Sequence, residues 1–353
     1  MINKPNVLVI VTPGFPENEW DSTCLPAQQS LIRAMNTYFP QLKIIILSFQ
    51  YPFVEKKYKW NGNTVIALGG KNRGKLFRWM VWRRATKHLQ KINAGYSITG
   101  LLSFWCDECA YTAQRFAKKN SLQHYCWLLG QDAKKGNRYV AKMAAPATTY
   151  IALSDFISET FANNYSISPA NTIPIGIDTN EYSATAKEKT IDIMAAGSLI
   201  PLKQYEIFIA VIAELKKTMP DIKAVLCGSG PELKKLQTGI NDLSLQQNIT
   251  LCGERSHEDI LDTMQRAKIF LHPSSYEGFG MVCIEALYAG AQVISFCKPV
   301  NTPVKNWHIA ESKETMIEKA RQLLEELPPS EKVLPFSIEN TAKAVMKLFG
   351  KEL

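Results

Sequence analysis

Short apolar runs alternate along the chain with longer segments whose apolar residues recur every three or four positions. The runs at 7–11, 43–48, 64–68, 98–103, 124–129 and 149–153 are rich in Val, Ile and Leu, and their length predicts buried strands. The segments between them, 24–36, 76–92, 107–119, 136–143 and 155–163, predict helices. That rhythm predicts an α/β chain with a doubly wound parallel sheet. It breaks at 173–182, and a charged, small-residue stretch from Ser183 to Lys189 follows. A second rhythm then begins, with strands at 191–196, 222–227, 248–252, 268–271 and 292–296. Its helices are predicted at 204–217, 231–239, 257–266 and 281–289. The tail from Phe336 to Phe349 is apolar on one face and predicts a last helix. No repeat of solenoid period is present.

Composition fits this division. A chain of 353 residues suits two α/β cores, one over 1–172 and one over 173–335, with helix 336–353 beyond them. An apolar fraction of 46% is ordinary for a globular protein, and no run approaches 18 apolar residues, so no membrane span is expected. The first residues lead straight into the 7–11 strand without the pattern of a signal peptide. Eight cysteines, at 24, 106, 109, 126, 227, 252, 283 and 297, lie mostly within apolar runs, which predicts reduced, buried thiols and a cytoplasmic protein. Cys106 and Cys109 form a lone C-x-x-C with neither a partner pair nor a thioredoxin-like context.

Charge divides unevenly. Residues 1–172 hold 21 Lys and Arg against 9 Asp and Glu, whereas the remainder is slightly acidic, and the whole chain carries +9. The basic half predicts an anionic partner. Its densest patch, 71–91, interleaves Lys71, Arg73, Arg78, Arg83, Arg84 and Lys87 with Trp79 and Trp82. Two readings stay open there. One is a helix lying on an anionic membrane surface, peripheral to the inner face of the plasma membrane. The other is a domain helix whose Leu76, Met80 and Leu89 face the core. No nucleic-acid module accompanies the patch, so a nucleic-acid partner is not expected.

The richest segment runs from His272 to Gly290. An apolar strand end is followed by the polar, glycine-containing turn Pro273–Gly280 and then by a helix that Gly290 is suited to cap. Glu277 lies in the turn and Glu285 eight residues on, in the helix. Gly278 and Gly280 leave the backbone bare for close approach. The helix start offers free N–H groups to a phosphate. A carboxylate accepts two hydroxyls at once, so the pair could hold a ribose and a hexose on either side of a diphosphate. That outlines a nucleotide-sugar site.

The segment resembles the E-x7-E region of the retaining glycosyltransferases of family 4, also called group 1. Members read roughly P-S-x-x-E-G-F-G, then E-A, then G-x-P-V-I. This chain has Pro273-Ser274, Glu277-Gly278-Phe279-Gly280, Glu285-Ala286 and Gly290-Ala291-Gln292-Val293-Ile294, with Gln292 in place of the proline. The resemblance implies the GT-B architecture, two Rossmann-like doubly wound parallel-sheet domains facing across a cleft. The first would be the acceptor side, with helix 336–353 packing back on it, and the second would bind the donor. The break at Ile173–Tyr182 is similar to the family's interdomain I-P-N-G-V-D segment, with Ile175 in the asparagine place.

Other patches extend the resemblance. Gly197-Ser198-Leu199-Ile200-Pro201-Leu202-Lys203 is similar to the family's G-R-L-x-x-x-K, whose two cations hold the donor diphosphate. Lys203 matches, but Ser198 stands in the arginine position. Arg138 is the candidate for a compensating charge. Gly228-Ser229-Gly230-Pro231-Glu232 resembles the G-x-G-P-E turn near the nucleotide, and Gly253, Glu254 and Arg255 resemble the loop against the base. In the first half, Gly14, Phe15 and Glu19 lie in a segment like the family's glycine loop. Glu19 and Asp21 are suited either to acceptor hydroxyls or to capping the helix near Cys24. Gly130-Gln131-Asp132 resembles H-G-x-D, with Leu129 where the family has histidine. Asp132 is suited either to a sugar contact or to capping its turn. Trp105 is expected on the acceptor side.

The implied reaction is transfer of a hexose from a nucleoside diphosphate sugar to a hydroxyl acceptor, with retention, in bacterial cell-surface glycan or glycolipid synthesis. Glu277, Lys203 and Asp132 are the catalytic candidates. Gly197, Ser198, Gly228, Gly230, Gly253, Glu254, Arg255, Gly278, Phe279, Gly280 and Glu285 join the first two around the donor. No D-x-D pair occurs, which fits an enzyme without a metal cofactor. His272 shows no second ligand nearby in sequence and is expected to be structural. Two other readings remain, a non-catalytic nucleotide-sugar-binding GT-B protein and a hydrolysing sugar-nucleotide epimerase.

Overall fold

The computed structural model describes residues 4–183, 185, 187–326 and 329–351, apart from the side chain of Lys75. The stretch from Ser183 to Lys189 is therefore described except at 184 and 186, and the last two residues of the tail lie outside the described residues. The chain divides into two compact units. The first comprises 1–176 and 338–353, and the second 177–337. The division falls four residues beyond the expected 172, and the tail rejoins the first unit at Ile338 rather than at 336.

In the first unit, eight strands among the described residues form one sheet. They are β1 (Asn6–Gly14), β2 (Lys43–Tyr51), β3 (Glu55–Trp60), β4 (Asn63–Leu68), β5 (Ser97–Phe104), β6 (His124–Leu128), β7 (Tyr150–Ala152) and β8 (Asn171–Thr172). Their order is β3-β4-β2-β1-β5-β6-β7-β8. All pairs are parallel except β3 with β4. That hairpin turns at Asn61-Gly62, both with positive φ, as a two-residue turn requires. The strand Glu55-Lys56-Lys57-Tyr58-Lys59-Trp60 alternates exposed charge with inward rings, a lysine-rich composition that protects a sheet edge from further pairing. Its low hydrophobicity hid it among the apolar runs. Helices α1 (Pro26–Tyr38), α2 (Lys75–Gly95), α3 (Glu108–Asn120), α4 (Arg138–Met143) and α5 (Asp155–Tyr165) cover the sheet.

The second unit has a six-stranded sheet of β9 (Ile191–Ala196), β10 (Ala224–Cys227), β11 (Ile249–Gly253), β12 (Ala267–His272), β13 (Gln292–Ser295) and β14 (Trp307–Ile309). Its order is β11-β10-β9-β12-β13-β14, parallel throughout. Helices α6 (Tyr205–Lys216), α7 (Leu233–Asp242), α8 (His257–Gln265), α9 (Met281–Tyr288) and α10 (Lys313–Glu326) flank it. Ile193, Leu226, Phe208, Ile212, Leu271 and Leu323 belong to one buried cluster between sheet and helices. Strand order reverses at β9, whose successor β10 lies on one side and β12 on the other. Such a switch point opens a crevice at the carboxyl ends of the strands. Both units are thus Rossmann-like parallel-sheet folds. Among the described residues, no helix is long and apolar enough to cross a membrane.

The last helix, α11 (Ile338–Leu348), packs on α1 in the first unit. Phe349 follows it and is buried, edge-on to Tyr125 with centroids 5.0 Å apart. Gly100 on β5 makes the room, since a Cβ there would lie 2.3 Å from the Phe349 ring. Truncating a buried phenylalanine removes its burial and leaves a cavity, typically about 3–5 kcal/mol. Phe349→Ala is expected to lower the urea midpoint accordingly, measured by circular dichroism. An unchanged midpoint would show that the tail adds nothing to the first unit.

Candidate active site

The parallel pairing of β9 with β12 sets Ile193 beside Ile269 and Met194 beside Phe270. Their carboxyl ends therefore release two loops side by side, 197–204 and 273–280. The Leu202 carbonyl ties them, accepting from the Ser275 N–H at 3.0 Å and from the Ser274 and Ser275 hydroxyls at 3.2 and 3.1 Å. Lys203 Nζ then reaches the Glu277 carboxylate in a largely buried ion pair. His272 Nε2 meets the same Glu277 oxygen at 3.1 Å. Burial alone would raise the Glu277 carboxyl, but the His272 hydrogen bond and the Lys203 charge outweigh it and hold it at about 2, against an ordinary 4.5. Burial lowers the His272 imidazole despite Glu277, so the neutral ring donates to the carboxylate instead of forming an ion pair.

Gly280 heads α9 at φ 76° and Gly290 follows the helix at φ 80°, the left-handed residue expected there. Glu285, in the second turn of α9, accepts at 3.0 Å from His257 Nε2, the first residue of α8. His257 Nδ1 lies 3.7 Å from Glu181. This histidine was not among the sequence candidates. It stands 28 residues from Glu285, and only the packing of α8 on α9 brings them together. Phe279 is buried against Phe336, with centroids 5.4 Å apart, so only its backbone is available to a ligand.

The flanking turns follow the sheet. Ser198 is exposed between Gly197 and Leu199. Gly228 approaches that loop so closely that a Cβ would lie 1.9 Å from the Gly197 carbonyl oxygen. Gly230 stands in the same turn and Gly253 at the end of β11. Glu254 accepts from the Ser229 hydroxyl at 2.9 Å, joining the two nucleotide-side turns, and Arg255 is exposed beside it. The structure thus gathers Lys203, Glu277, Glu285 and these turns at the carboxyl edge of one sheet.

Two of the first-unit candidates, Asp132 and Phe15, are buried in the fold. Asp132 is buried and accepts from the backbone N–H of Cys106, Leu129 and Gly130 at 2.9, 3.1 and 2.8 Å. Of its two open roles it fills the cap. Phe15 is wholly buried, edge-on to Trp60, so it is core and not acceptor lining. Gly14 ends β1, and Glu19 accepts from the Asn61 N–H at 2.7 Å. Asp21 takes the Cys24 N–H at 3.2 Å, but α1 starts at Pro26 behind Leu25 and has no side-chain cap. Trp105 turns the chain after β5 at φ 63°. Arg138 opens α4, its guanidinium 5.3 Å from the Tyr139 ring centroid. His124 is buried between Ser103 and Gln114, and its burial lowers the imidazole to about 3.

Two further expectations need correction. In α2, Leu76 and Met80 do not face the core, being 81% and 40% exposed, and Val81, Ala85, Leu89 and Ile92 do. His272 does have potential co-ligands, because Cys283 and Cys297 fold against it. Their positions, 11 and 25 residues on, gave no metal-like spacing.

The depressed carboxyl makes the site acid-sensitive. Ionised Glu277 stabilises the fold above about pH 4.5, and the contribution is lost as pH falls from there towards 2. Lys203→Met removes one of the groups holding it down. The Glu277 titration is then expected to rise towards 4.5, read by carboxyl carbon-13 NMR, with acid unfolding moving to higher pH. A titration left near 2 would remove Lys203 from the network.

Residues 177–332 match the family described as Glycosyl transferases group 1. A 110-residue stretch is 33% identical to the phosphatidylinositol N-acetylglucosaminyltransferase gpi3 subunit of Schizosaccharomyces pombe, covering 31% of this chain and 24% of that protein. A 103-residue stretch is 31% identical to the 2-deoxystreptamine N-acetyl-D-glucosaminyltransferase of Niallia circulans, covering 29% and 26%. The chain thus spans about a quarter of the length of these curated relatives. The fold is similar to that of a glycosyltransferase from Rickettsia africae, with TM-score 0.75, 14% identity and 98% of each chain covered. The match to the group 1 glycosyl transferases thus takes in all of the second Rossmann-like unit but its last five residues, and the likeness of the whole chain to solved glycosyltransferases is one of fold.

Proposed function

We propose that the protein is a retaining glycosyltransferase that moves a hexose from a nucleoside diphosphate sugar to a hydroxyl acceptor. The observation that carries this reading is the convergence of Lys203, Glu277 and His272 at the β9/β12 switch point, with Glu285 and His257 on the adjoining helices. Glu285, oriented by His257, accepts the two ribose hydroxyls. Glu277 accepts hydroxyls of the donor hexose. Lys203 and the N–H groups at the head of α9 meet the diphosphate, so no metal is assigned to it. The anomeric carbon–phosphate oxygen bond breaks and a bond to the acceptor oxygen forms on the same face. The hydroxyl proton passes to the leaving phosphate.

The names of the relatives support an N-acetylglucosamine or mannose donor and a phosphatidylinositol-type or aminocyclitol acceptor. A fold neighbour from Anabaena was solved with UDP and glucose, with TM-score 0.71 and 14% identity, which makes uridine the first base to test. Ser198 supplies no charge where the family has arginine. A missing charge-stabilising donor costs about 2–4 kcal/mol in such sites. It favours a slow enzyme, or a binder without turnover, over a fast one.

A peripheral site at an anionic membrane surface, and with it a lipid-linked acceptor, is part of the proposal. In α2, Arg78 and Trp82 turn inward to Glu108 at 3.2 and 2.9 Å. Leu76, Trp79 and Met80 stay exposed, and the Arg83 guanidinium lies 4.7 Å from the Trp79 ring centroid. Apolar and aromatic tips beside cations suit a headgroup interface.

Two measurements test this. UDP or a UDP-sugar is expected to raise the thermal midpoint of the wild type by mass action, and Glu285→Ala to abolish the shift. No shift with UDP, GDP, ADP or their common sugars at millimolar concentration would overturn the donor site. The full chain is expected to co-sediment with vesicles containing phosphatidylserine, and the doubly charge-reversed Arg83→Glu/Arg84→Glu chain to stay in the supernatant. Equal sedimentation of the two would remove the membrane surface.

A further inference from the structure

Beneath the Glu277–Gly280 loop three soft donors meet. His272 closes β12, Cys283 lies in the first turn of α9, and Cys297 follows β13 by two residues. One nitrogen of the ring and the two sulphurs all lie within 4.8 Å of one another, the one such group among the described residues. β12 and α9 hold the first two, and the β12/β13 register, which pairs His272 with Ser295, brings Cys297 two positions on beside them. Gly280 sits over the pair. A Cβ built there would meet Cys283 Sγ at 3.5 Å and Cys297 Sγ at 3.6 Å. His272 is 1% exposed and Cys283 is buried, whereas Cys297 is half-buried. Neither thiol is committed to a disulfide.

We propose that His272, Cys283 and Cys297 form a binding site for one thiophilic divalent cation of the zinc class, beside the Glu277 carboxylate that meets the His272 ring. Zinc takes sulphur at about 2.3 Å and imidazole nitrogen at about 2.0 Å, which sets tetrahedral donors roughly 3.5–4 Å apart. The three donors need close by no more than about an ångström to reach that geometry. On binding, the two thiols become thiolates and release their protons to solvent, and no electron is transferred. Two sulphurs and an imidazole select a soft cation over magnesium or calcium. Glu277 Oε1 already lies 3.1 Å from His272 Nε2, so a cation on the ring draws on the group that also meets Lys203. Resting on the proposed role of Glu277 towards the donor sugar, the cation then opposes donor binding. It is an inhibitory site and not part of the transfer step.

The full chain, kept reduced with a phosphine and free of metal, is titrated with Co2+ alone. One equivalent is expected to produce near-ultraviolet thiolate-to-cobalt absorption, displaced by Zn2+. Cys297→Ser, at the half-buried position, is expected to abolish the band while circular dichroism stays native. Cys283→Ala is expected to do the same if it folds. No band at millimolar Co2+, or a band that survives in natively folded Cys297→Ser, overturns the site. A UDP-sugar thermal shift that is unchanged by saturating Zn2+ overturns the inhibition alone. A wild type that binds Co2+ but no nucleotide sugar refutes the donor reading and leaves the cation site standing.

Discussion

Lys203 and Glu277 neutralise each other where two adjacent parallel strands run out of the sheet, and the site is organised around that pair. Two charges taken out of water are costly unless each keeps further partners, and removing one partner of such a pair typically costs about 3–5 kcal/mol. Here the His272 ring gives Glu277 its second hydrogen bond, and the Leu202 carbonyl locks the lysine loop to the glutamate loop. The pair is thereby a structural clamp and a store of charge at one place. On the proposed reading, a diphosphate beside Lys203 would replace one anion with another, so the lysine would not have to be buried alone.

The sheet decides which groups can join this clamp. Because β9 is central, its loop meets turns from β10 on one side and β12 on the other. Close approach on the β10 side is possible only because Gly228 has no side chain to strike the Gly197 carbonyl. On the β12 side the α9 helix brings Glu285 against His257 of α8. The second unit therefore concentrates charged, partnered side chains at the ends of its strands, where a polar ligand finds fixed donors and acceptors.

In the first unit, comparable polar residues are used differently. Asp132 holds three backbone N–H groups, and Glu108 receives Trp82, Arg78 and Gln50. Buried carboxylates engaged in this way fix loop and helix positions and have few lone pairs left for a substrate. What the first unit does present outward is the cationic, aromatic start of α2, where Leu76 and Trp79 stay in solvent.

Most of the architecture was legible in the chain. Apolar runs such as 7–11, 43–48 and 191–196 became central strands, because a parallel strand covered on both faces must be apolar nearly throughout. Strand β3 escaped because an edge strand with one wet face has no such run. Glu277, Glu285 and Lys203 were legible as types at the right spacing within one loop–helix unit or one strand end. Asp132 and Phe15 were not, since a carboxylate next to a glycine looks the same whether it faces a ligand or caps its own turn. The helical period of α2 was visible, but not which of its apolar residues turn inward. By itself the sequence determined the alternation of elements, the division into two units and the chemical inventory of the E-x7-E segment. Only the tertiary structure decided that His257 orients Glu285, that His272 serves Glu277, and that Cys283 and Cys297 share one pocket. Those pairings join residues on different elements, and strand register and helix packing, not local propensity, set the distances between them.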